Sequence, residues 1–317
     1  GSFATDAVTP IAGRGLSFGG RNTPNQNMNN IEFVVIATTG NATDFGDLQA
    51  ASWKATGFSS TTRGVMHESG SGYADVVSYV TVASAGNATD FGDRSAGIAA
   101  SAGLSNNTRG LFTGGQTPDT SMIDVMDYFT IASTGDSTDF GNLSVARKWF
   151  GACASTTRGI TGMGGNESDS GSEGSDVIDY VTISSTGNAA DFGNLTAIMD
   201  SSSSGGASSS TRGVQGGGRR SGNSDVIEYI TIASTGNAAD FGNLLALQSE
   251  PGAAAASNKT RITYFGGTSH PAENALDVIQ YITVATTGNA TDFGDLGGDS
   301  GAVRKGNGAL GNNHGGV

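Results

Sequence analysis

One cysteine, Cys153, stands in 317 residues, so no internal disulfide can staple this chain. Basic residues are scarce as well: 16 lysines and arginines face 29 aspartates and glutamates, for a formal net charge of -13. No basic patch is at hand to neutralise phosphates, which argues against a nucleic-acid partner. No apolar run approaches the ~18 residues of a spanning helix, so membrane insertion is not expected. No signal-peptide or transit pattern is expected, and Gly1-Ser2 reads as a cloning remnant. Charged residues make up 14% of the chain, where ~25% is usual. Glycine is what the chain has in excess, at 51 residues, but without the strict three-residue period of collagen. That composition fits either disorder or a turn-dense β protein, and the order of residues decides.

The order is a repeat. Thr39–Leu48 reads TGNATDFGDL, and close copies begin at Ala85, Thr134, Thr186, Thr235 and Thr287. Their phenylalanines, Phe45, Phe91, Phe140, Phe192, Phe241 and Phe293, are spaced by 46, 49, 52, 49 and 52 residues. A second anchor keeps the same register at Arg14, Arg63, Arg109, Arg158, Arg212 and Arg261. A disordered chain would not hold two anchors in step over six copies. A period near 50 indicates a propeller blade or a helical pair. Inside each unit the pattern is β-branched and aromatic, as in Asp225–Ile232, with no helical period. The Thr-Gly-Asn-Ala that follows reads as a hairpin turn. A short strand around Asp-Phe-Gly, a small-residue strand and an Arg-Gly strand complete four strands per unit. The fold class expected is all-β: a six-bladed β-propeller of four-stranded antiparallel blades, one domain over residues 1–317.

The order of strands resembles the kelch repeat. A small-residue strand leads to an Arg-Gly strand ending in a glycine doublet, then a variable loop, a tyrosine-bearing strand and an aromatic strand. The doublets are Gly19-Gly20, Gly114-Gly115, Gly164-Gly165, Gly216-Gly217 and Gly266-Gly267, and the second blade departs with Glu68-Ser69. The strand aromatics are Phe33, Tyr79, Tyr128, Tyr180, Tyr229 and Tyr281, and phenylalanine of Asp-Phe-Gly stands where kelch usually has tryptophan. The phrase that runs from Ile227 to Leu244 also resembles kelch-like repeats in virion proteins of marine and cyanobacterial tailed phages. That likeness implies a virion protein, with a cytoplasmic location as the alternative.

Val303–Val317 aligns with Ala146–Ile160, so the end of the chain looks like the missing first strand of blade 1. Residues 303–312 are expected beside residues 14–20, which closes the ring and removes an open sheet edge. Residues 2–11 compete for the slot, but Pro10 lacks a donor.

Counting strands outward from the axis, the 1–2 and 3–4 turns share one face of the disc. The 2–3 and 4–1 connections share the other. The 3–4 turns are nearly identical in all six units, whereas the 2–3 and 4–1 connections differ in each. Individual loops on a rigid scaffold are where recognition usually resides, or they have drifted because nothing selects them. Trp53, Tyr73, Trp149 and Phe150 are the candidate contacts on that face, with inter-blade core as the competing role. The partner expected is a host-surface glycan, a host protein or another virion subunit. The sixfold Asp44, Asp90, Asp139, Asp191, Asp240 and Asp292 are expected to be structural, accepting turn N–H groups, with each phenylalanine plugging the blade-to-blade core. The arginines are expected to pair with an acid or carbonyl and fix the register between blades.

No metal site and no cofactor is expected, since no Cys/His metal spacing occurs and the spacing of the Asp-Phe-Gly-Asp phrase does not fit a calcium loop. Glu167, Asp169 and Glu173 form an acidic loop that reads as solvated. Six near-copies supply six equal environments, whereas catalysis needs distinct residues converging on one place, so a binding module is expected and not an enzyme. The alternatives are a glycan hydrolase or lyase, which requires two carboxylates at glycosidase spacing on one face, and an intracellular kelch-type scaffold.

Overall fold

The computed structural model describes residues 13–70, 72–165, 174–199, 206–220, 222, 224–248, 254–269, 274–297 and 303–317. Residues 2–11 and the acidic loop with Glu167, Asp169 and Glu173 lie outside them. The described residues form six four-stranded antiparallel sheets and no helix. Blade 1 holds β1 (Arg14–Phe18), β2 (Met28–Val35) and β3 (Thr43–Ser52). Blade 2 is β4 (Thr56–Ser59), β5 (Arg63–His67), β6 (Val76–Thr81) and β7 (Thr89–Asp93). Blade 3 is β8 (Ala102–Ser105), β9 (Arg109–Gln116), β10 (Met122–Thr130) and β11 (Thr138–Asn142). Blade 4 is β12 (Gly151–Ala154), β13 (Arg158–Met163), β14 (Ser175–Thr182) and β15 (Ala190–Met199). Blade 5 is β16 (Gly206–Ser208), β17 (Arg212–Gly216), β18 (Ser224–Thr231) and β19 (Ala239–Gln248). Blade 6 is β20 (Ala254–Ser257), β21 (Arg261–Phe265), β22 (Val278–Thr283) and β23 (Thr291–Asp295). The last strand, β24 (Gly308–Gly311), returns to blade 1 and pairs with β1, Gly15 opposite Gly311 and Phe18 opposite Gly308. The ring is a six-bladed propeller closed by its C-terminal strand.

The repeated phrase builds the outer seam between blades. In every blade the outer strand carries a β-bulge: Ile31 faces Gly46 and Glu32 faces Asp44, which leaves Phe45 as the extra residue. The same shift recurs in the other five blades. A bulge bends the strand and re-aims side chains. Here each phenylalanine is only 2–3% exposed and sits in its own apolar cluster, shared with the next blade. The Thr-Gly-Asn-Ala turn of that next blade then docks on the bulged strand. Gly86 N–H donates to Phe45 O at 2.7 Å, Ala88 N–H to Asp47 O at 2.8 Å, and Asp47 N–H to Asn87 Oδ1 at 3.1 Å. The other five seams repeat this latch. The bulge glycine is needed for it: at Gly92, with φ +143°, a Cβ would lie 2.4 Å from Gly135 O. The six aspartates before the phenylalanines are exposed. The side-chain acceptor of the latch is the turn's Asn or Asp, one residue after its glycine.

The arginines staple the same seams nearer the axis. Each guanidinium lies 4.3–4.6 Å from the ring centre of its own blade's strand aromatic, Phe33 or the tyrosine. That ring stands edge-on to the bulge phenylalanine. Nη1 then reaches across to a backbone carbonyl of the following blade: Arg14 to Val82, Arg63 to Ile131, Arg109 to Ile183, Arg158 to Ile232, Arg212 to Val284 and Arg261 to Ala37, at 2.7–3.0 Å.

A third sixfold set lies inside the junctions. The residue before each strand aromatic is buried: Glu32, Ser78, Asp127, Asp179, Glu228 and Gln280. Except at Ser78, it meets the previous blade at the end of the outer strand or just beyond it. Asp179 accepts from Ser144 N–H at 3.1 Å, Gln280 from Leu245 N–H at 2.8 Å, and Glu228 from Thr196 N–H at 2.7 Å. Three junctions add a buried arginine from the 4–1 connection: Arg94 to Asp127, Arg147 to Asp179 and Arg304 to Glu32. In each of these the preceding outer strand, β7, β11 or β23, is five residues long. The outer strands β3, β15 and β19 run for ten residues, and no such arginine follows them.

Candidate functional site

Six short inner strands surround the axis. Their residues are small because the strands crowd together: a Cβ on Gly103 would lie 2.4 Å from Gly57 O. Serine hydroxyls tie neighbouring inner strands at one end, Ser105 to Ser59 O and Ser257 to Ser208 O at 2.7 and 2.8 Å. At that end, the face of the 1–2 turns, the tail Asn312–Val317 crosses the axis. Asn312 Nδ2–H donates to Thr61 O and Gly315 N–H to Ser208 O. His314 fills the centre: Nδ1 accepts from Gly316 N–H and Nε2 lies 3.0 Å from Ser59 O, which assigns the proton to Nε2. Burial pushes the His314 imidazole down to about 4. The axis is therefore stoppered on the face where all six turns are alike.

On the individual-loop face the axis is open. A cavity of about 70 Å³ of water-accessible space is lined by Lys54, Ser101, Trp149, Phe150, Gly306 and the first residues of the inner strands. A second cavity of about 60 Å³ lies beneath it and ends at His314. The two share Gly57, Gly103, Ala152, Gly206, Ala255 and Ala309, so they form one blind cup.

The structure brings Trp53 and Trp149 together at this mouth, although they leave different blades. Their ring centres are 6.2 Å apart, and Lys54 Nζ lies 4.4 and 4.7 Å from them. Arg21 stacks on Trp53 at 3.7 Å. The indole N–H of Trp53 is buried and has no hydrogen-bond partner among the described residues. Phe150, 4% exposed, packs in the cluster between blades 3 and 4 and forms part of the cup wall. Tyr73 is half-buried further out, its carbonyl 2.2 Å from where a Cβ on Gly97 would stand. Lys54 and Trp149 hold left-handed backbone, φ 65° and 58°, just before inner strands. Such strain in residues other than glycine is sustained by the surroundings and is concentrated at binding clefts.

Of the 16 cations, Lys259 and the six repeat arginines sit at the 1–2 turn end of the blades, and the other nine come from the 2–3 and 4–1 connections, where Arg94, Arg147, Lys148 and Arg304 are buried. Sequence reasoning singled out the tryptophans there and missed the cations beside them. The signal was present in Trp53-Lys54 and in the paired Arg147-Lys148 and Arg304-Lys305. No protein-family model matches the chain, and no curated protein matches it.

Proposed function

We propose that this chain is a non-enzymatic recognition module, the propeller of a tailed-phage tail or fibre. Its individual-loop face binds a host-surface glycan or protein, or another virion subunit. One observation carries the reading: the axial cup is closed by the C-terminal tail on the uniform face and opens among the loops that differ in every blade. Variable loops around a preformed concavity are the usual setting of recognition. The phage setting rests on the likeness of the repeated phrase. The non-enzymatic reading is supported by where the inner carboxylates go: Glu32, Asp127, Asp179 and Glu228 are buried and committed to blade junctions. Many copies on one particle would turn weak single sites into firm attachment.

The test is binding of labelled protein to envelope preparations from cyanobacterial and marine bacterial strains. Trp53→Ala and Lys54→Ala are expected to weaken binding at least tenfold with the melting temperature retained, and Lys259→Gln on the opposite face to leave it unchanged. Equal binding by all three variants would overturn the placement. New reducing ends released from the polysaccharide would overturn the non-enzymatic reading.

A further inference from the structure

We infer that the mouth of the axial cup is a site for an acidic sugar residue, its carboxylate held by Arg21 and Lys305 and its ring entering the cup. The inference rests on the reading that this face is the binding face.

Arg21 is held ready for an anion. Its Nε–H donates to Asn27 Oδ1 at 2.7 Å, and its guanidinium lies flat on Trp53. Lys305 is fixed beside it, because Arg21 N–H donates to Lys305 O at 2.8 Å and Lys305 N–H to Arg21 O at 3.0 Å. Lys54 is tied to the same corner by its N–H bond to Gly306 O at 3.0 Å. Arg94, Arg147, Arg220 and Arg304 each have a carboxylate at ion-pair distance. Arg21 and Lys305 have none among the described residues. Arg21 and Lys305, whose backbones pair next to Gly306 of the cup wall, thus make a cationic corner with no carboxylate at ion-pair distance among the described residues, and such a corner attracts an anion. Burial alone lowers the Arg21 pKa, with no acid opposing it.

The planar guanidinium fork suits a carboxylate. What lies behind it favours a sugar over an acidic peptide. The cup wall consists of the inner edges of β4, β8, β12, β16, β20 and β24, each the edge strand of its sheet. Such edges present backbone N–H and C=O groups, which match hydroxyls. The small side chains leave about 70 Å³ of water-accessible space, too little for a folded segment.

Calorimetric titration with trigalacturonate, sialyllactose, methyl-esterified trigalacturonate and poly-L-glutamate tests this. At least one acidic sugar is expected to bind one-to-one, with the ester and the polyglutamate at least tenfold weaker. Arg21→Gln/Lys305→Gln should lose at least tenfold, and Lys259→Gln nothing. If the double variant melts early, Lys305→Gln alone should still weaken binding several-fold. Equal affinity for the ester removes the charge and overturns the inference, and equal affinity for polyglutamate overturns the sugar. Unchanged affinity in Lys305→Gln overturns the location. Failure of both acidic sugars while envelope binding still depends on Trp53 overturns this inference and leaves the face assignment standing. Loss of that dependence removes both.

Discussion

The junctions of blades 2–3, 3–4 and 6–1 bury a carboxylate against an arginine, whereas those of blades 1–2, 4–5 and 5–6 solve the same position differently. At 5–6 the buried group is the neutral Gln280, satisfied by a backbone N–H. At 4–5 the cation for Glu228 comes from the 2–3 loop of its own blade, Arg220. At 1–2 the strand offers only Ser78, and the carboxylate arrives from Glu68, which bonds Ser78 and the N–H groups of Gln49 and Ala50. The two departures of blade 2 therefore compensate each other: the doublet lost a glycine to Glu68 where the strand lost its acid. The comparison teaches that a propeller seam needs an acceptor at this depth and tolerates several ways of supplying and neutralising it. A buried pair is weak evidence of net stability, but removing one member leaves an uncompensated charge.

The largest effect is expected from deleting Val303–Val317. This removes β24, the axial stopper and Arg304 together, opening the edge of β1 and stranding Glu32. The melting temperature should fall by more than about 10 °C in scanning calorimetry. An unchanged melt would mean that ring closure contributes nothing. Arg147→Met should lower stability by about 3–5 kcal/mol in a denaturant titration, because Asp179 stays buried without its cation. Adding Asp179→Asn should restore most of the loss, and failure to do so would assign Arg147 a packing role. Gly92→Ala and Gly46→Ala should each cost roughly 1–3 kcal/mol, and similarly to one another. One lies at an arginine junction and the other does not, yet both latches are alike. A large difference would show that the inner junction controls the seam.

The smallest effect, and the one of opposite sign, is Glu68→Gln. Burial raises the Glu68 pKa, with the Ser78 hydroxyl and the two N–H groups opposing it. The fold thus prefers the neutral acid, and Glu68 lends most stability below its unfolded pKa of about 4.3. That stability is lost as pH rises through the unfolded toward the folded value. Glutamine, already used at blade 6, should match wild type near pH 4 and melt slightly higher at pH 7. A variant that melts lower at pH 7 would show that the charge itself holds the junction.

Blade number, strand order and ring closure were legible because Phe45 and its copies, and the tail's likeness to Ala146–Ile160, repeat in the letters of the chain. The arginine staple was half legible, since its acceptor is a backbone carbonyl, which no letter reports. The inner acceptor set was not legible. Glu32, Ser78, Asp127, Asp179, Glu228 and Gln280 share a position and not a chemistry, and each partner is set by the register of a neighbouring blade. The same reason hid the cup mouth. Trp53 and Trp149 are far apart in sequence and meet only because both precede inner strands whose starts converge on the axis. The stopper is written in Gly315 and Gly316, whose function is to let backbone approach backbone, so it looks like an unremarkable glycine tail.

The outer latch uses one vocabulary at all six seams, so at the rim any blade fits any neighbour. The inner junction does not share that indifference. Exchanging blades 3 and 4 would leave every rim contact intact, yet blade 4 would then meet Asp127 without an arginine, and Arg147 would confront Glu228, which already has Arg220. The order of blades around the ring is thus an address written in buried charge. Duplication can copy a blade freely, but only certain arrivals can take a given seat.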